Sequence, residues 1–505
     1  MTAQGIAPSS AKKLRQESSR ESDHYHLPPP TFDLDVWVNN YEGFPPHLLG
    51  ALLPLRLAHV AIHCPTLSRQ AITLAISHAK KSKDVRVYIR LCDLAGQFGF
   101  ADLGTPDLGW ASKQEEGNKR ELSRLEGELR GYKNNLIRES IRMGQEDLAT
   151  HHLITGGPPP DPATVQSLGG TGYGVAYQAF GKMRDYCTTP THMASMILRL
   201  TYTAILQAVS AQQQGSTARH HLDLVLSNCS RLRTCGVKEE EQVKLNPIAI
   251  AMSGIAHLGQ ANYHDAGSAF LSTPIAYNLL GPVHNTDFGR AVASANDLAI
   301  YGGLCALATL SRQALIDRVL GGPFRAFLEL EPHMRKAISL YTTAKYQACL
   351  DLLRRYYSDW SLDVFLGVPA SSIGSASHVD VLFAHIREKS ITAYFSSFSE
   401  VSLASLASTF PPISSSPTAM EEELLSMIDA GQLDARLDVV NGTLVAPRKD
   451  LRASTHEEAR RAAEEVERTL LLRLHKVNVA MAGLEVPRSK TGGWEGHGQG
   501  NGLMY

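Results

Sequence analysis

The sequence lacks a surplus of charge of either sign: 49 Lys and Arg stand against 50 Asp and Glu, a formal net charge of −1. A chain that grips phosphates shows a basic excess or a basic stripe, so nucleic acid is not an expected partner. There is no apolar run of about 18 residues, the length that reads as a membrane span, so no membrane partner is expected either. The opening stretch to His26 has no apolar core, which excludes a secretory signal there. The seven cysteines (Cys64, Cys92, Cys187, Cys229, Cys235, Cys305 and Cys349) include no C-x-x-C pair. Scattered in apolar helical contexts, they read as buried free thiols of a reducing compartment. Nucleus and cytoplasm are the expected locations.

Strings that carry chemistry are also missing. No H-E-x-x-H, G-x-S-x-G or phosphate-loop pattern occurs. His24 and His26 form an H-x-H pair like that of zinc isopeptidases, but Leu34 stands where that site needs its Ser. The pair also lies in a polar tail with no scaffold to hold three ligands. His151-His152 and His220-His221 are sequence neighbours, which on a helix point about 100° apart and rarely chelate one ion. No catalytic, cofactor-binding or metal-binding residue is therefore expected.

What is present is helix. At 505 residues the chain needs two or three domains, and its 43% hydrophobic content is that of an ordinary globular protein. Residues 1–31, polar and ending in a run of prolines, read as a disordered tail. Residues 32–355 read as a helical-repeat domain. Within it a long helix is expected over 112–143, opened by a capping box of Ser112 and Glu115. Leu122, Leu125, Leu129, Tyr132 and Leu136 would form its stripe, and Gly144 its stop. The Gly- and Pro-dense stretch over 156–174 reads as a surface insertion. Tyr173 with Ala176, Tyr263 with Ala266, and Tyr346 with Cys349 share one spacing, an aromatic residue followed by a small one. Their separations approach two units of a ~40-residue helical-pair repeat.

Residues 356–450 change character. Helices are expected over 379–395, 401–410 and 419–431, then two short strands about Asn441-Gly442, a strong hairpin signal. That order is a winged helix. Its third helix carries Glu421, Glu422, Glu423 and Asp429 without a Lys or Arg, which predicts protein docking and not DNA. Residues 451–483 form a final helix, with a capping box at Ser454 and Glu457 and supporting pairs Glu457–Arg461 and Glu464–Arg468. Its apolar stripe runs through Ala459, Ala463, Val466, Leu470, Leu474, Val477 and Met481. Residues 484–505 read as a second disordered tail.

The stretch from Gly131 to His152, GYKNNLIRESIRMGQEDLATHH, is the most informative. With MRDYCTTPTHMASM (183–196), AIYGGLCALATLSRQAL (299–315), FLELEPHMRKAISLYTTAKYQACLDLL (327–353), HIREKSITAYF (385–395) and GQLDARLD (431–438), it resembles the COP9 signalosome subunit 1 family over about residues 33 to 483. The chain departs from the family pattern at 156–174 and at 358–378. The resemblance implies a mostly α fold: a right-handed, TPR-like helical-repeat solenoid, then a PCI winged helix with a small sheet, then a C-terminal helix. It implies a non-catalytic scaffold of the COP9 signalosome, which removes the ubiquitin-like modifier NEDD8 from cullins with zinc held in another subunit. The implied partners are the other signalosome subunits, of PCI and MPN type. Leu433, Leu437, Val439 and Leu444 would meet them at a winged-helix edge, and Val466, Leu470, Leu474, Val477 and Met481 in a helical bundle. The N-terminal repeats would face a cullin-RING ligase or an unrelated regulator. The rival is the homologous non-ATPase subunit of the 26S proteasome lid, against which YGGLCALA and IREKSITAYF weigh.

Overall fold

The computed structural model describes residues 33–41, 51–157, 172–370, 376–411, 419–447 and 451–483. The two tails, the His24–His26 pair and most of the 156–174 stretch lie outside the described residues. Helices of seven residues or more are labelled here in chain order. Four short helices open the chain: α1 (Leu34–Tyr41), α2 (Leu52–His63), α3 (Ser68–Lys81) and α4 (Val85–Gln97). Their apolar faces close on a core of their own, which includes Leu57, Val60, Ile72 and Leu91 and, from far along the chain, Leu362.

The repeat region follows as α5 (Leu108–Asn134), α6 (Arg138–Ile154), α7 (Tyr173–Lys182), α8 (Pro190–Gln213), α9 (Arg219–Arg233), α10 (Glu239–Gly259), α11 (Tyr263–Leu271), α12 (Ala295–Thr309), α13 (Pro332–Thr342) and α14 (Tyr346–Ser361). Consecutive helices pack on one another from α5 to α12, and α13 packs on α14. Nearest-neighbour stacking of this kind is how helical repeats bury faces that no single hairpin could cover. All three Tyr residues of the repeated spacing open a helix and are buried with their small partners.

The long helix expected over 112–143 is two helices. α5 starts earlier, capped by Asp107, whose carboxylate accepts from the Trp110 amide, and Ser112 lies inside it. It ends at Asn134, and the chain reverses through Leu136, whose φ of 54° is left-handed. Two adjacent asparagines, poor helix formers, precede that turn. Leu136 is consequently exposed, and the buried stripe runs only through Leu125 and Leu129. Gly144 is not a stop but a buried residue of α6. A Cβ there would lie 3.0 Å from Tyr132 Cδ2, so glycine lets the hairpin close on that ring.

Helix α12 is buried almost all round, as expected of a central helix. Its YGGLCALA segment has a steric reason: a Cβ at Gly302 would lie 2.6 Å from Phe324 Cζ. A Ser294–Asp297 capping box fixes its start.

The winged helix is α15 (His378–Phe395), β1 (Glu400–Ser402), α16 (Leu403–Thr409), α17 (Ala419–Asp429), β2 (Arg436–Asp438) and β3 (Thr443–Val445). The sheet is antiparallel in the order β1-β3-β2. The helix expected over 401–410 is therefore a strand and a shorter helix: Val401 pairs with Leu444, and Ser402 then caps α16. The last helix, α18 (Leu451–Met481), starts before Ser454. Among the described residues no helix is long and apolar enough to cross a membrane. All seven cysteines are free, but Cys187 and Cys235 are only half-buried, which corrects the expectation of seven buried thiols. Burial pushes Cys229, Cys305 and Cys349 up to about 12, so they are inert at neutral pH.

Candidate subunit interface

Helix α18 spans 31 residues, about 46 Å at 1.5 Å per residue. Arg460 and Arg461 brace its surface, reaching Glu457 at 2.7 Å and 3.4 Å, and Arg460 also reaches Glu464 at 3.1 Å. Its apolar stripe lies exposed. Val466, Leu470, Leu474, Val477 and Met481 are exposed, from 54% at Val477 to 83% at Met481. Leu471 and Leu472, outside the expected stripe, are exposed as well and widen it. Exposed apolar faces of this kind are where proteins bind one another.

The winged-helix residues divide differently. Leu433 and Leu444, 3% and 0% exposed, belong to the core, and Leu437 packs half-buried against it. These two leucines are thus corrected from interface to core. Leu444 is buried, and its strand β3, in the middle of the sheet, has no free edge. Val439, which is exposed, remains available. Sequence reasoning missed its neighbour Val440, 94% exposed at the hairpin tip. Adjacent valines beside Asn-Gly were the signal.

The acidic helix α17 is also only partly a surface. Glu423 receives Arg387 Nε at 2.6 Å and Nη2 at 3.0 Å, and buried Arg387 further donates to the Phe410 and Pro411 carbonyls. One residue of α15 thereby ties α16 and α17 together. Two positions on, Lys389 Nζ donates to the Leu307 carbonyl at 2.6 Å and to the Leu310 carbonyl, at the C-terminal end of α12. A cation there satisfies carbonyls the helix cannot and suits the negative end of its dipole. Burial pulls Lys389 down to about 8, so it stays protonated at neutral pH. Its ammonium also lies 4.9 Å from the Tyr341 ring centre. The IREKS segment is thus the clamp between repeats and winged helix.

A second clamp escaped the sequence reading. Arg56 of α2, fully buried, bonds Asp363 at 3.2 Å and the Val292 carbonyl, with Cζ 4.3 Å from the Tyr41 ring centre. Tyr41 in turn donates to both oxygens of Asp297, at 2.7 Å and 2.8 Å. Burial raises the Asp297 carboxyl, against the pull of Arg56. These bonds join the N-terminal helices to the entrance of the winged helix.

Known proteins carry the same plan. Residues 107–157 and 173–318 match the family described as 26S proteasome subunit RPN7, and residues 353–448 match the PCI domain. COP9 signalosome complex subunit 1 of Emericella nidulans is 37% identical over 470 residues, which cover 90% of this chain and 84% of that protein. The Neurospora crassa protein of that name is 31% identical over 87% of this chain and 89% of its own length. The Arabidopsis thaliana one is 29% identical, over 84% and 86%.

The chain belongs to the COP9 signalosome subunit 1 family.

The proteasome-lid rival is not favoured. The RPN7 match stops at residue 318, whereas relatives named for the signalosome align across most of the chain. Membership in the signalosome subunit 1 family makes the chain part of an assembly with other subunits, and α18 leaves an apolar stripe exposed. The two clamps lie inside the chain and join its N-terminal helices, repeats and winged helix.

Proposed function

We propose that the chain is a non-catalytic scaffold of the COP9 signalosome. It supports removal of NEDD8 from cullin-RING ubiquitin ligases in nucleus and cytoplasm, while another subunit holds the zinc. Helix α18 joins a helical bundle with its sister subunits, and the free edge of β2 and the Val439-Val440 tip meet a neighbouring winged helix. The uncovered apolar stripe of α18 carries this reading. The buried charges support the scaffold role, because Arg56, Arg387 and Lys389 are each committed to joining elements.

Co-purification tests it. Leu470→Asp with Leu474→Asp is expected to cut recovery of the other subunits sharply, because burying each leucine contributes about 1.5–3 kcal/mol. The melting temperature of the free chain should not move, since both side chains are already in water. Normal assembly of that variant would refute the bundle role. Val440→Asp tests the winged-helix contact more cleanly than Leu437→Arg, which would break the sheet itself.

A further inference from the structure

The turn between α5 and α6 breaks three local rules at once. Leu136 takes a φ of 54°, in the left-handed region that suits Gly or Asn, while Asn135 beside it takes a φ of −83°. That Leu is 82% exposed, and its neighbour Ile137 is 52% exposed. Backbone strain thus holds an apolar side chain in water. Ile137 is also the N-cap of α6 and has no side-chain oxygen to offer the first amides of the helix. Arg138, the first residue of α6, sets a cation at the positive end of the helix dipole. Each of these choices opposes folding of the free chain, and such strain clusters where proteins clamp a ligand or a partner.

The charge at this tip is of one sign. Residues 129–138, LRGYKNNLIR, hold Arg130, Lys133 and Arg138 and no acid, in a chain of net charge −1. All three cations are exposed, and none has an ion pair among the described residues. The flanking acids are engaged elsewhere, Glu128 with Arg124 at 2.5 Å and Glu139 with Arg142 at 2.6 Å. Glu126 stands one helical turn before Arg130 but makes no ion pair with it. A second copy of the tip would be repelled. Single-stranded nucleic acid needs exposed aromatic platforms, and Tyr132, the aromatic residue of the stretch, is half-buried against Gly144. Membrane surfaces are held by clusters of about four to eight cations, more than stand here. An acidic polypeptide answers every feature. Its carboxylates would meet the three cations and the open amides of α6, and an apolar residue among them would cover Leu136 and Ile137.

We propose that the α5–α6 tip docks an acidic segment of another polypeptide, with an apolar residue between its acids. The tip is remote in sequence from α18, and its test can be run on the free chain, so its failure is distinct from failure of the bundle role. The probe is a fluorescein-labelled peptide, Asp-Glu-Leu-Leu-Glu-Asp, titrated with the full chain and followed by fluorescence anisotropy. Saturable binding that weakens as salt rises is expected. Lys133→Glu with Arg138→Glu should abolish it, and replacing the peptide leucines by serine should weaken it several-fold. Leu136→Asn separates binding from folding. Asn takes the left-handed turn more readily, so the melting temperature should hold or rise while affinity for the peptide falls several-fold. No saturable binding, binding that survives the charge reversal, or binding indifferent to the peptide leucines would overturn the proposal. So would a marked fall in the melting temperature of Leu136→Asn, which would make Leu136 a residue of the fold. Tighter binding to phosphatidylserine vesicles or to single-stranded RNA, lost in the charge-reversed variant, would give the tip to those partners and overturn it as well. In the assembled complex, Ile137→p-benzoylphenylalanine places a photo-crosslinker on the tip. Cross-links to an acidic segment of another polypeptide are expected. Cross-links only within this chain, cross-links to a basic segment, or none would overturn the assignment.

Discussion

Single residues decide where this chain is most easily broken. Arg56 is taken wholly out of water, where Asp363, the Val292 carbonyl, two ring faces and nearby Asp297 support its charge. Removing one member of such a pair strands the other, which costs about 3–5 kcal/mol. Arg56→Ala is expected to lose that much by denaturant titration. Arg56→Met combined with Asp363→Asn should recover much of it, because Asn can still accept the Phe365 and Leu366 amides that Asp363 holds. His378 titrates. It is buried against the Tyr263 hydroxyl at 3.0 Å, and burial lowers it to about 4 from 6.5. The unfolded chain then binds the proton first, so stability is full above pH 6.5 and drains away as pH falls toward 4. The loss approaches about 3 kcal/mol at 1.36 kcal/mol per pH unit. Asp84, pushed up to about 6 by burial, works in the opposite direction. The measurement is therefore the difference in melting temperature between wild type and His378→Gln from pH 7 to pH 4. That difference should favour the variant progressively as the pH falls.

Elements, in turn, depend on how closely their neighbours approach. α12 admits Phe324 only because Gly302 has no side chain, so Gly302→Ala forces a ring aside in a packed core. Overpacking of this sort costs about 1–3 kcal/mol, which thermal unfolding of the variant should register. α5 and α6 meet through Gly144 in the same way. The break in the helix expected over 112–143 escapes a reading of periodicity because the apolar stripe persists on both sides of the turn. Periodicity records which face is greasy, and a left-handed residue at Leu136 leaves that record nearly intact. β1 was missed for a related reason. Three residues cannot declare a strand by alternation, and Glu400–Ser402 is one because β3 offers it an edge. The stripe of α18 and its Glu457–Arg461 pair were legible because both are local, but Glu464 is reached by Arg460 where Arg468 was expected, and the helix starts at Leu451, before the expected cap at Ser454.

Across the whole molecule, the N-terminal layer is held to the winged-helix entrance by bonds between residues as far as 307 positions apart. This closure should make the chain melt as one unit. Calorimetry of Arg56→Ala is expected to split that transition in two, with the α1–α4 layer unfolding first. A single transition at lower temperature would mean that Leu362 and its apolar surroundings suffice to hold the layer. Lys389 makes the complementary join between repeats and winged helix, and its loss should loosen the C-terminal part alone.

The sequence by itself determined the class of fold, the order of repeats and winged helix, the amphipathic face of α18 and the family. All of these rest on spacing along a few turns of chain or on strings of residues that keep their order. Only the tertiary structure decided which apolar residues are covered, sending Leu433 and Leu444 inward while leaving Val440 and α18 outside. It also decided what Arg56, Arg387 and Lys389 hold together. The reason is physical: burial and ion pairing belong to groups brought together from distant positions, and a pattern read along the chain carries no record of what will stand opposite.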